Sequence, residues 1–222
     1  MSITGFALVG FVVAHMIGNL QVFLGAEAIN RYGYFLQSNV ELLWPARIGL
    51  LVIVFLHIWS AIRLTAENRA ARPVQYSEWN PTVASYASRT MMMSGLIVAA
   101  FVVYHILHFT VMTQQVNLLK NHSDFAHDPY FFDAQGHHDI YRMMVVGFRQ
   151  PLVSLFYIIA VGLLCLHLSH GIAAMFQSLG WKKRSYARLL DNAAKVVSWV
   201  LFLGYISIPV SILVLHYGGD VP

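Results

Sequence analysis

Residues 151–181 read PLVSLFYIIAVGLLCLHLSHGIAAMFQSLGW, and this stretch decides the fold. It is almost wholly apolar and exceeds the roughly 20 residues an α-helix needs to cross a bilayer core. Inside it stand His167 and His170, three residues apart and followed by Gly171. A full charge at membrane depth costs about 2.5–3.5 kcal/mol on insertion scales, so an ionisable side chain there points to function. Neutral imidazole costs less, and its usual employment is metal ligation. Gly171 lies one turn beyond His167 on the same helical face. A missing side chain at that point leaves room for something flat and bulky, which suggests haem.

The rest of the chain has the same character. It holds 222 residues, of which 58% are hydrophobic and only 11% charged. Soluble domains carry about 25% charged residues, so this chain lacks the polar surface for water and reads as an all-α, polytopic membrane protein. Five spans are expected, at 3–24, 46–66, 91–113, 151–178 and 193–216, in one transmembrane domain covering 1–222. Pro209 falls inside the last span, where neighbouring helices satisfy the carbonyl it frees. The net charge of +4 does not imply nucleic acid, because the basic residues sit at span ends and not along one face.

Charge alternates between the connections. Arg63, Arg69, Arg72 and Arg89 flank the 2–3 connection, and Lys182, Lys183, Arg184, Arg188 and Lys195 crowd the 4–5 connection. The 1–2 connection has only Arg31 and Arg47. In the outer loop 114–150, Lys120, Arg142 and Arg149 are offset by Asp124, Asp128, Asp133 and Asp139. The positive-inside rule therefore places the N-terminus in the cytoplasm and the C-terminus outside, in a multi-pass inner (plasma) membrane protein. No signal peptide is evident. Cys165 reads as a small buried hydrophobe. The outer loop also holds His122, His127, His137 and His138 among its aspartates. Their spacing fits no fixed zinc pattern, so a folded cap is the expectation there.

Each of the first four spans contains a histidine: His15, His57, His105 or His108, and His167 or His170. One such residue is ordinarily a hydrogen-bonded core histidine. Four in consecutive spans instead suggest a helical bundle holding cofactors between facing helices. Two bis-histidine haems would use all four. Span midpoints place His15 and His105 toward the outer face and His57 and His167 toward the inner one. Haems with both axial positions filled by protein carry electrons and do not activate oxygen. Gly171 favours His167 over His170 as a ligand, leaving His108 and His170 for hydrogen bonding to propionate, quinone or a ligand ring.

Three segments, HMIGNLQVFLGAEAINRYGYFL, SRTMMMSGLIVAAFVVYHILHF and HLSHGIAAMFQSLGW, resemble the membrane-anchor cytochrome b of succinate:quinone oxidoreductases and fumarate reductases. The likeness is to the single-subunit, five-helix, di-haem type and extends over essentially the whole chain. It implies two haem b groups, an outer one held from spans 1 and 3 (His15, His105) and an inner one from spans 2 and 4 (His57, His167). It sets His105 ten residues after Gly95 as the third-span ligand, and it disfavours His170, where such proteins can carry asparagine. It further implies flavoprotein and iron–sulfur subunits of succinate dehydrogenase on the cytoplasmic face, with electrons passing to menaquinone or ubiquinone, or in reverse. The chain would then serve the respiratory chain and the tricarboxylic acid cycle as a subunit of an enzyme whose dicarboxylate chemistry lies on its partners. Its single cysteine excludes a four-cysteine iron–sulfur cluster of its own.

The same resemblance places a quinone site near the outer haem, where Glu27, Asn30, Tyr34 and Gln37 are the candidates, Glu27 as proton donor. Arg89 leads the candidates for a haem propionate, ahead of Arg63, Lys182, Arg47, Arg142 and Arg149. Trp44, Trp79, Trp181, Tyr32 and Tyr34 are expected in the interfacial aromatic belt. Two other readings compete: a cytochrome b of a nitrate reductase or hydrogenase, and a histidine-lined metal-ion transporter. The second is disfavoured by the lack of internal repeats and broken helices.

Overall fold

The computed structural model describes residues 1–71, 86–112, 131–132, 135–219 and 221. Arg72, Trp79, Lys120, His122, Asp124, His127, Asp128 and Asp133 lie outside them. The described chain is mostly helical: α1 (Ser2–Leu20, continued by a 3₁₀ turn to Leu24), α2 (Ala26–Ser38), α3 (Val40–Ala70), α4 (Tyr86–Arg89), α5 (Met91–Ile106), α6 (Ile140–Phe148), α7 (Pro151–Ser178) and α8 (Ala187–Val214). Among them, α1, α3, α5, α7 and α8 are long and apolar enough to cross a membrane.

Local chemistry explains the boundaries. Pro151 opens α7 at its first turn, where a missing N–H costs nothing. Asp139 caps α6 by accepting from the Arg142 backbone N–H at 3.0 Å. The second span is longer than the sequence suggested. It begins at Val40, and its far end runs past residue 66, carried by an exposed Arg63–Glu67 pair one turn apart. Beyond Ile106, α5 widens into a π-helical turn over Leu107–Val111, then stops at Met112 in the left-handed region (φ 57°). Such π turns gather at functional sites, and this one carries His108.

The core lies chiefly along the α7–α8 seam, with α1 and α5 packed on α7. Met16 of α1 presses against Gly204 of α8, where a side chain would collide with its sulfur. Tyr205 Oη donates to the Val12 carbonyl at 2.7 Å, a further tie between α1 and α8. By contrast α3 has no buried residue and packs chiefly against α1 and α2.

The described part of the outer loop holds a further helix, α6, with every residue from Met143 to Phe148 buried. At nine residues it is too short to span, so burial against protein is the way its apolar side chains leave water. Asn30 of α2 ties it down, donating to Asp139 Oδ1 at 2.9 Å and accepting from the Tyr141 N–H at 3.0 Å. The C-terminal tail closes over the same end. Arg149 donates to the carbonyls of Gly218 and Val221, both at 2.6 Å, and Tyr217 Oη donates to the Val22 carbonyl at 3.0 Å.

Candidate functional site: two pairs of histidines

The membrane-depth histidines gather in two places. His15 of α1 and His105 of α5 face one another with ring centroids 5.7 Å apart and planes at 82°. Phe11 stacks on His15 at 5.3 Å, and Tyr205 closes its far side. Beside the pair opens a cavity of about 220 Å³ lined by Asn19, Met144, Val161, Pro209 and their neighbours. At the other level, His57 of α3 and His167 of α7 lie within reach of each other's charge.

The inner pair shows how a sequence sets the protonation of a ring. Thr4 Oγ1 donates its hydrogen to the Met1 carbonyl at 2.8 Å and lies 3.1 Å from His57 Nδ1. A hydroxyl has one hydrogen, so toward His57 it acts as acceptor, and the proton sits on Nδ1. Ser94 repeats the arrangement, donating to the Met91 carbonyl at 3.0 Å while lying 3.2 Å from His167 Nδ1. Rings that donate from Nδ1 to these oxygens would keep the Nε2 lone pair for a ligand. A metal-binding histidine usually has its second nitrogen hydrogen-bonded in this way, which fixes tautomer and orientation.

Glycines give the rings space. A side chain at Gly95 would lie 3.3 Å from His167 Cε1, and one at Gly5 would lie 3.5 Å from His57 Cε1. The space beside Gly171 is taken instead by the Met91 methyl, 3.5 Å away, so Gly95 does the work that the sequence assigned to Gly171.

The two levels are regularly spaced. Thr4 to His15 on α1 and Ser94 to His105 on α5 are each eleven residues, and Tyr157 to His167 on α7 is ten. At 1.5 Å per residue the pairs lie about 15–17 Å apart along the bundle.

The donor sets fit haem. His15 and His105, with ring centroids 5.7 Å apart, are the residues that would hold an iron at the outer level. Among the described residues no three His, Cys, Asp or Glu side chains come together. Two protein donors are too few for a closed zinc site, which takes four. They suffice for an iron whose remaining ligands come from a porphyrin. The bare apolar surface of α3 beside His57 adds to the fit, since a flat group between α3 and α7 would cover it.

The other candidates divide. His108 is fully buried against Tyr157 and Phe109. His170 stands near the Lys182–Asp191 ion pair at the basic end. Glu27 is exposed, and Asn30 is engaged between α2 and α6. Tyr34 packs on His137 with centroids 4.2 Å apart. Gln37 lines an outer pocket of about 330 Å³ with Arg47, Thr110, Met112 and His138. Arg89 is exposed. Among the other cations, Arg63 pairs with Glu67, Lys182 with Asp191 and Arg142 with Asp139, while Arg149 holds the tail. Arg47 stacks on Trp44. Trp44 and Trp181 are exposed as a belt requires, but the Tyr32 ring lies on Gly18.

Thr4, Ser94 and Tyr157 were missed in the sequence. The available signal was polar residues eleven or ten positions from a histidine inside otherwise apolar runs.

Fold and site together define a class: an all-helical protein, among the described residues, with five helices fit to span a membrane, a His15–His105 ring pair at one level and His57 and His167 near each other at another. A search of protein-family models, curated proteins and solved structures found no match to this chain.

Proposed function

We propose that this chain is a di-haem cytochrome b that anchors a succinate:quinone oxidoreductase or fumarate reductase. It carries electrons between a cytoplasmic iron–sulfur subunit and membrane quinone. The observation that carries the haem assignment is the Thr4–His57 and Ser94–His167 hydroxyl pairing at Nδ1, the arrangement that orients a ring to bind iron through Nε2. His57 and His167 hold the inner haem, and His15 and His105 the outer one. Each haem supplies a one-electron iron couple when bound.

The protein's own contribution is position and dielectric. The helices fix each imidazole, apolar walls exclude water, and hydroxyls hold the proton on Nδ1. The identity of the partner rests on the resemblance of the three segments and on the basic 4–5 connection, which suits an acidic docking face. On this reading the N-terminus is cytoplasmic and the C-terminus lies outside.

Purification of the intact complex tests it. A reduced-minus-oxidised spectrum with a haem b band, two haems per chain, and co-purifying flavoprotein and iron–sulfur subunits are expected. A colourless preparation would refute the haem assignment, and nitrate reductase or hydrogenase subunits alongside two haems would refute the partner alone.

A further inference from the structure

Tyr157 sits on α7 between the two histidines of α5. Its phenol oxygen lies 2.9 Å from His108 Nδ1 and 3.3 Å from His105 Nδ1. The ring has little freedom. Phe101 and Phe148 meet it edge to face at 5.2 and 5.0 Å, with planes at 85° and 90°, and it is only 5% exposed.

A phenol has one hydrogen and must choose between the two rings. A hydrogen given to His105 would leave that ring no lone pair for iron, so on the di-haem reading Tyr157 donates to His108 Nδ1. Toward His105 the oxygen can then only accept, and the 3.3 Å contact is donation from His105 Nδ1–H. That tautomer leaves the His105 Nε2 lone pair available beside His15. The opposite choice would put the proton on His105 Nε2 and remove it as a ligand. His108 is thereby committed as a hydrogen-bond acceptor three residues along the same helix.

We propose that Tyr157 is a positioning residue that selects His105, and not His108, as the α5 ligand of the outer haem. This inference rests on the di-haem reading. A hydrogen bond accepted from Nδ1–H also makes the imidazole a stronger donor to iron, which favours the ferric state. The same logic operates at the inner level through Thr4 and Ser94, so three hydroxyls would set three of the four axial rings.

The test is a redox titration, followed optically, of the purified intact complex carrying wild-type chain, Tyr157→Phe, His108→Leu or His108→Gln. Tyr157→Phe keeps the ring packing but deletes the acceptor. Its outer haem should titrate at a higher potential and dissociate about 10–100-fold more readily, with the inner haem unchanged as an internal control of folding. His108→Leu, which removes the acceptor of the phenol hydrogen, should move the outer haem the same way, and His108→Gln, which keeps an acceptor, should not. The last two decide the matter if Tyr157→Phe fails to fold. Two haems with an unaltered titration in both Tyr157→Phe and His108→Leu would overturn the role of Tyr157 alone. A wild-type complex without haem would overturn the di-haem reading itself.

Discussion

At the scale of the residue, what distinguishes a ligand from a core histidine here is what its other nitrogen does. His57 and His167 each meet a hydroxyl whose hydrogen is already given to a carbonyl one turn earlier. Replacing Thr4 by Val or Ser94 by Ala removes the acceptor while nearly preserving shape. We expect about 10–100-fold weaker retention of the inner haem, read as loss of one spectral component on detergent washing. His57→Ala and His167→Ala should abolish that same component, and His15→Ala and His105→Ala the other. Loss of both by one substitution, or a crossed pairing, would refute the assignment. His170→Ala should leave both haems bound, since His170 faces the Lys182–Asp191 pair. The four-histidine pattern was legible because imidazole is conspicuous in an apolar run. The hydroxyls were not, because Ser and Thr bond to their own helix backbone in most membrane helices and leave no mark on composition.

At the scale of the element, the cap formed by α2, α6 and the tail depends on a few polar contacts. Asn30 satisfies both Asp139 and the Tyr141 N–H, so Asn30→Ala strands groups at the start of α6. Leaving a buried partner unsatisfied costs about 1–3 kcal/mol, and we expect a lowered melting temperature with faster proteolysis between residues 131 and 142. His138 adds a pH dependence. Burial pulls its imidazole below the ordinary value, with Asp139 opposing. The unfolded chain therefore takes up a proton near pH 6.5 that the folded cap resists, so the contribution to stability is present above about pH 6.5 and is lost as pH falls below it. The hydrogen-exchange protection factors of residues 136–140, measured against the intrinsic rate at each pH, should fall on going from pH 7.5 to 5.5; equal protection would contradict this. The sequence announced Asp139 as a polar loop residue and missed α6 itself. Its apolar run is too brief for a span, and nothing local says that α2 and the tail will bury it.

At the scale of the molecule, all five spans were legible from apolar length alone, because the bilayer imposes one dimension on every crossing. Their mutual arrangement was not, and α3 shows why: it presents no buried face, so no periodicity could say which side meets its neighbours. If a haem fills the space beside it, cells starved of haem should yield a chain whose α3 is cut by protease while α7 and α8 resist. Equal resistance would mean that α3 is held by protein contacts alone. The eleven residues that separate Thr4 from His15, and Ser94 from His105, complete just over three whole turns. Each helix therefore works as a ruler whose two graduations must point the same way. One alanine inserted after Val9 would swing everything beyond it by about 100° and aim His15 into lipid, although no side chain had been altered. Natural drift in these intervals is thus free to rewrite letters but bound to keep their number.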